Sequence, residues 1–389
     1  MGPSTGLRQV SICRYAMGWW PAKIIAFLNV IEQVGWSSVG CITGGLALSA
    51  VSNGHINLVL GVVIVAIVGM VFSVVGLRAV LAYEKYAWAV FFVIFMVMYG
   101  ELAPQASLSS PPTVTGATNK GCALTLFAVV YGSSASWCSI VSDYYVQYPV
   151  NTSKTKIFLL TTCGIAIPTC IGMVCGCCVG STMGVNADWA NTYNNDGVGE
   201  LLQTILFPRG FAKFLLVLLV LSGIGTNCIA MYSGALSVQQ FAQPLSIVPR
   251  FIWTFLVFVA IILIGIAGRN HLLDVLQNFL SLLGYWNTSL FVILFVEHYW
   301  FRDGWHGFKN YDLEAWNTAS RMPIGFAGFA GFAAGIAGAV VGMDETWWVG
   351  PIARKIGLDG GDVGNELSLV FTLVAFVPVR YLELKYIGR

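Results

Sequence analysis

From residue 24 to residue 387 the chain returns again and again to uncharged apolar runs. Each reaches about 18 residues or more, the length a helix needs to cross the hydrocarbon core of a bilayer. A soluble helix buries one apolar stripe and leaves the rest wet. A chain apolar all round its helices needs a solvent other than water. Composition agrees: 10% of the 389 residues are charged and 57% are apolar, where a soluble domain carries roughly 25% charge. Outer-membrane barrels are built from short alternating segments, and these runs are long and unbroken. The sequence therefore reads as an all-α integral membrane protein. It forms one domain over 1–389, with a cytoplasmic N-terminal segment at 1–23 and about ten transmembrane helices across 24–387.

The periodicity places these spans at 24–49, 56–77, 86–104, 121–143, 157–180, 211–241, 251–268, 272–299, 322–343 and 366–387. Loops are expected at Ser52–Gly54, at Ser107–Lys120 with its Pro111-Pro112 pair, at Asn186–Gly199 and at Asp344–Glu366. With these spans, 14 of the 20 Lys and Arg residues fall on the side of the N-terminus and 6 on the other. Such a bias points both termini to the cytoplasm.

A net charge of +2 without basic clusters gives no reason to expect nucleic acid as a partner. Most of the ten cysteines lie inside apolar runs, where cysteine acts as a small apolar residue. The Cys175-Gly-Cys177-Cys178 group lacks the paired spacing of a metal site. Gly325, Gly328, Gly331, Gly335 and Gly338 read as a helix-packing surface. The acceptor sequences at Asn151 and Asn287 fall on the cytoplasmic side and inside a span, so neither is expected to be glycosylated.

Three spans break the apolar rule. In the first, Glu32, Trp36, Gly40 and Gly44 are four residues apart and share one helical stripe. Trp36 lies near mid-span, away from the interface where tryptophan concentrates, and offers a flat face to a planar ligand. Bundle packing is the alternative. Glu32 is costly in a bilayer unless paired, protonated or wetted, so it is a candidate for cation coupling or a structural hydrogen bond. In the fourth span, Tyr131-Gly-Ser-Ser-Ala-Ser-Trp137 combines a second mid-span tryptophan with residues that weaken a helix. An unwound segment there would expose backbone to a ligand. Asp143 follows as a gate candidate, or as a solvated helix end. In the sixth span, Thr226 and Asn227 can serve a cation and a heterocycle edge respectively, or join helices. Enzyme signatures are absent, and the four histidines are scattered.

Together with these residues, Gly2-Pro-Ser-Thr-Gly-Leu-Arg8, Asn29-Val-Ile-Glu-Gln-Val-Gly-Trp36, Val130-Tyr-Gly-Ser-Ser-Ala-Ser-Trp137, Ser142-Asp-Tyr-Tyr145, Asn151-Thr-Ser-Lys154 and Arg380-Tyr-Leu-Glu-Leu-Lys-Tyr386 resemble the purine–cytosine permease branch of the fungal nucleobase–cation symporter-1 family. The likeness extends along essentially the whole chain. It implies a leucine-transporter-like fold of twelve helices with an inverted repeat. It also implies a substrate stacked between Trp36 and Trp137, with Gly40, Asn227 and the backbone near Ser136 around its edge. In the family the Gly-Pro-x-Thr-Gly-Leu-Arg stretch follows the second helix, so its place here implies an N-terminal truncation that removes two helices. Gly40 stands where the family tends to have asparagine. Thr226-Asn227-Cys-Ile-Ala230 replaces an asparagine-rich pattern.

The expected function is a secondary active symporter for a purine, cytosine or related nucleobase. No cofactor is expected. A proton is the expected co-transported ion, with sodium as the alternative, and Glu32 and Thr226 are the coupling candidates. A pyridoxine-type vitamin transporter of the same branch, or a truncated paralogue that moves nothing, are the other readings. The expected partners are the substrate and the lipid bilayer, and the expected location is the plasma membrane.

Overall fold

Pro21 occupies the first turn of a helix, where the missing amide costs nothing, and the chain then runs helically to Val51. The computed structural model describes residues 1–75, 77–107 and 113–388. Its long helices are α1 (Pro21–Val51), α2 (Leu58–Val75), α3 (Leu77–Leu102), α4 (Gly116–Ala135), α5 (Lys154–Met183), α6 (Ala187–Ile205), α7 (Arg209–Phe241), α8 (Arg250–Gly268), α9 (Leu272–Val296), α10 (Phe326–Gly342) and α11 (Gly364–Ile387). Eight of the described helices are long and apolar enough to cross a membrane, and α2 and α10 are shorter apolar helices. Together these are the ten expected spans. The Pro111-Pro112 pair lies outside the described residues.

The stretch Asn186–Gly199, expected as a loop, is instead most of α6. Asn186 caps it, its side-chain oxygen accepting from the Asp188 and Trp189 amides at 3.1 and 3.2 Å, and Trp189 is buried. Polar composition signalled a loop. A local cap and one buried tryptophan outweigh it. The helix kinks at Gly197, which takes a positive φ of 81°.

Two glycine contacts bring the central helices together. A side chain on Gly223 of α7 would meet the Gly40 carbonyl of α1 at 2.8 Å, and one on Gly45 would meet the Val62 amide of α2 at 2.9 Å. Small residues at such crossings let backbones approach, which is the main source of helix association in lipid. α10 uses its glycines the same way. Gly331 rests on Phe376, and Gly335 is wedged between Ser289 and Thr372. The apolar cores follow these contacts: one gathers α1, α9, α10 and α11 around Trp286 and Phe376, and another gathers α1, α2, α7 and α8 around Val65 and Ile261. α5 shows Phe158, Leu159 and Leu160 outward, as a lipid-facing helix does.

The N-terminal segment is held against the bundle. Every residue of the helix Gln9–Met17 is buried. At the same end, Arg380 of α11 reaches Glu297 with bonds of 2.7 and 2.8 Å and Glu383 at 3.2 Å. At the other end, a small antiparallel hairpin, β1 (Asp344–Glu345) and β2 (Trp348–Val349), pairs Asp344 with Val349.

Candidate functional site

Trp36 stands at the midpoint of α1 and lines a cavity of about 370 Å³ between α1, α6 and α7. Its indole is held edge-on by Phe279 of α9, with ring centroids 5.9 Å apart. Gly40 and Gly44 continue the wall one and two turns along. Gly199 of α6 closes one side, its Cα pressed on the Leu46 backbone. Thr43, Ser222 and Thr226 add hydroxyls. The hydroxyl protons of Thr43 and Thr226 go to carbonyls of their own helices, at 3.0 Å (Val39) and 3.2 Å (Ser222). The oxygens they turn to the cavity are therefore acceptors, suited to N–H or O–H groups on a ligand.

One turn before Trp36, Glu32 is buried with 1% of its surface exposed. Oε2 accepts from the Asn287 amide of α9 at 3.0 Å, and Oε1 lies 3.1 Å from the Ser139 hydroxyl. Ser139 also lies 3.2 Å from Asn29 Oδ1 and 2.9 Å from the Ser136 carbonyl. Asn29 in turn donates to Ser237 of α7 at 2.7 Å and accepts from Gln33 at 2.9 Å. A hydroxyl has one proton and two lone pairs. Ser139 can donate to a charged Glu32, or accept from a protonated Glu32 while donating to Ser136. Glu32 thus keeps its bond to Ser139 in either protonation state, and only the Ser139 bond to the Ser136 carbonyl depends on it.

Ser139 belongs to the break in the fourth span. The α4 helix tightens to a 3-10 turn over Ser136–Ser139, and Ile140 leaves helical geometry at φ −133°, ψ −15°. This break begins at Ser136, in the last residues of the Tyr131–Trp137 stretch to which the composition points, and runs on to Ser139. Gly132 stays helical, and a side chain there would strike the Leu280 carbonyl of α9, so its small size serves packing. Ser136 is buried and its hydroxyl returns to Ser133 at 2.9 Å.

Of the residues singled out in the sequence, Trp36, Gly40 and Thr226 share the cavity. Trp137 sits on the 3-10 turn outside its lining, 37% exposed, with its ring edge toward Tyr144. Asn227 is fully buried and faces away from the cavity. Its amide nitrogen lies 3.0 Å from Cys41 Sγ, and its Oδ1 has no partner. That oxygen sits behind Gly40, 3.3 Å from where a side chain at 40 would begin. Asp143, expected either as a gate or as a solvated helix end, is completely buried. It accepts from the Gln9 amide at 3.0 Å and the Ser233 hydroxyl at 3.2 Å, while the Ser142 amide donates back to Gln9 Oε1 at 3.2 Å. This clasp joins the N-terminal segment, the exit of the broken helix and α7.

Asn29, Gln33, Ser139 and Asn287 escaped the sequence reading. Asn29 and Gln33 carried a signal, being polar residues beside Glu32 within an apolar run. Ser139 and Asn287 carried none beyond their polarity, since only the folded chain brings them to Glu32.

A family model described as permease for cytosine/purines, uracil, thiamine and allantoin matches residues 1–364. The chain belongs to this permease family. Among its relatives are the vitamin B6 transporter TPN1 of Saccharomyces cerevisiae, 32% identical over 438 residues, covering 100% of this chain and 76% of that protein. Purine-cytosine permease fcyB of Emericella nidulans is 34% identical over 386 residues, covering 99% and 75%. Purine-cytosine permease FCY21 of Saccharomyces cerevisiae is 35% identical over 392 residues, covering 100% and 74%. The fold matches that of Mhp1, a nucleobase-cation-symport-1 family transporter. The closed form with bromovinylhydantoin bound superposes with a TM-score of 0.65 at 17% identity, covering 98% of this chain and 80% of that one. The inward-facing form gives 0.63 at 15%, covering 100% and 80%. The permease is thus an all-α, multi-pass membrane transporter of leucine-transporter-like fold.

Proposed function

We propose that this permease is a symporter for a small, flat, polar heterocycle, a purine, cytosine or related base, driven by a proton. The observation that carries the reading is Trp36, at mid-span on the wall of the 370 Å³ cavity, a volume within the range of about 300–1,000 Å³ usual for small-molecule sites. An indole face binds a planar ring by stacking. Relatives at 32–35% identity are named for cytosine, purines and vitamin B6, and each of those substrates is flat and polar.

In this reading Trp36 stacks the ring, Thr43 and Thr226 accept from its edge, and Trp137 covers its other face once the broken helix moves inward. Asn227, behind Gly40, reaches the edge only after a rearrangement of α7. Proton coupling is supported by Glu32 and by the ability of Ser139 to turn with its protonation. The protein sits in the plasma membrane with both termini in the cytoplasm and performs no bond chemistry. A pyridoxine-type substrate is the second reading. It is favoured by the cavity lining, whose described residues offer hydroxyl oxygens and no carboxamide.

The test is uptake of labelled cytosine, adenine, hypoxanthine and pyridoxine by cells lacking their own carriers, with and without a protonophore. Uptake of one of them, abolished by Trp36→Ala at unchanged membrane abundance and by the protonophore, is the expected result. Uptake that survives Trp36→Ala overturns the stacking role. Uptake that survives the protonophore overturns proton coupling.

A further inference from the structure

A second cavity, of about 470 Å³, lies at the membrane end that holds the start of α1 and the end of α7. Its charge is one-sided. Arg8, Arg14 and Lys23 line it, and among the described lining residues none is acidic. None of the three cations has a carboxylate within 4 Å among the described ion pairs. Asp143 attracts Arg8 from beyond the cavity but does not line it.

The donors here outnumber their partners. Arg14 is 8% exposed and is fixed by the Trp316 carbonyl and Asn317 Oδ1, both at 3.1 Å, and by the Gln240 carbonyl at 3.2 Å. Its guanidinium packs on the Trp19 ring at 4.6 Å. Its neighbours have open valences: Arg8 Nη1 and Gln240 Nε2 are both buried and both without a partner. Three cations around one half-open space, with two orphan donors buried just behind its wall, favour an acceptor carrying negative charge, because a buried N–H without a partner costs about 1–3 kcal/mol. Guanidinium groups match phosphate oxygens in pairs, and lysine supplies a point charge.

Depth supplies the second argument. Trp20, 66% exposed, precedes the first residue of α1 and carries Lys23 over its ring at 4.1 Å. Exposed tryptophan with lysine at the end of a span marks headgroup level. The face is the one to which the loop count assigns more Lys and Arg, the face where anionic lipids concentrate.

We propose that this cavity binds a phosphate-bearing anion, presented by a lipid headgroup or by a soluble phosphate compound, with Arg8, Lys23 and Gln240 as its ligands and Arg14 as the fixed positive floor. Occupancy would tie the N-terminal segment to the end of α7.

The test uses the purified full chain in neutral detergent, following melting temperature and tryptophan fluorescence during titration. The probes are dioctanoyl phosphatidylserine, inorganic phosphate and dioctanoyl phosphatidylcholine. A saturable rise in melting temperature with phosphatidylserine, absent with phosphatidylcholine, supports the site and assigns it to lipid. The same rise with inorganic phosphate at comparable concentration supports the site and assigns it to a soluble anion. Lys23→Gln, which breaks no side-chain hydrogen bond among the described residues, is expected to weaken the apparent affinity about fivefold, the worth of one cation near a membrane surface. Gln240→Leu should weaken it without any change in charge. A response to none of the probes overturns the proposal, as does an unchanged affinity in both variants.

Discussion

Ser139 lies 3.1 Å from Glu32, and through that contact the turn that carries Trp137 is joined to the helix that carries Trp36. Glu32 is one helical turn before Trp36, and Ser139 two residues after Trp137. A proton gained or lost at Glu32 therefore changes which way the Ser139 hydroxyl points. Ser139 stays bonded to Glu32 of α1 in both states, and only with Glu32 protonated is its own proton free for the Ser136 carbonyl. Glu32 thus sits one helical turn from the cavity wall at Trp36.

Glu32→Gln should insert and fold, since an amide can still accept from Ser139. In it, uptake should lose its dependence on an imposed pH gradient. Ser139→Ala should keep the gradient dependence in part but bind substrate more weakly, because a hydrogen bond to a charged group is worth about 1.5–3 kcal/mol. Uptake at several external pH values separates the two variants. A Glu32→Gln protein with the unmodified pH response would exclude Glu32 from coupling.

Gly223→Ala should be markedly destabilising. The added methyl would meet the Gly40 backbone carbonyl at 2.8 Å, and backbone cannot swing aside as a side chain can. Overpacking of this kind costs about 1–3 kcal/mol, and here it also parts the two walls of the cavity. Gly210→Ala, on the same helix with open space around it, is the control. The melting temperature should fall in the first variant and hold in the second.

Arg380→Met removes the cation between Glu297 and Glu383, all three being nearly inaccessible. Among the described residues, Glu297 then keeps only Arg302, at 2.8 Å, and Glu383 only the Gly325 and Ala327 amides; breaking a buried ion pair costs about 3–5 kcal/mol. The expected phenotype is failure to accumulate in the membrane. The triple replacement Arg380→Met, Glu297→Gln, Glu383→Gln should recover part of the lost abundance. Normal abundance of Arg380→Met, measured by immunoblot of membranes, would contradict the assignment.

Stability should fall as pH rises through a window set by the hairpin beyond α10. Burial first, then the neighbouring Asp362, pushes the Glu345 carboxyl up from 4.5 to about 9, against a smaller opposing pull from the Tyr285 hydroxyl. The folded state therefore holds this proton more tightly than the unfolded state does. That contribution is full below about pH 4.5 and is lost as pH approaches 9. Melting temperature in detergent should decline between pH 5 and pH 9, and less steeply in Glu345→Gln. Equal slopes would remove Glu345 as the cause.

By itself the sequence determined the solvent, the ten spans and the family. Length and apolarity of a run are local properties, and lipid leaves a chain little choice but helix. It also determined that Trp36 and Glu32 share a stripe, because helical spacing is fixed by the backbone. Tertiary structure alone decided what those residues face. Gly132, which looks like a helix breaker, is a contact for α9. Asn227, which looks like a ligand, points at Cys41. Asp143, at a chain exit, is sealed by Gln9 and Ser233. Asn287 and Ser139, hundreds and about a hundred residues away in sequence from Glu32, become its partners. Each outcome depends on contacts between elements distant in sequence. Glycine contacts such as Gly223 on Gly40 set how closely the helices approach, and that packing decides which side of a polar residue meets a cavity and which meets a neighbour.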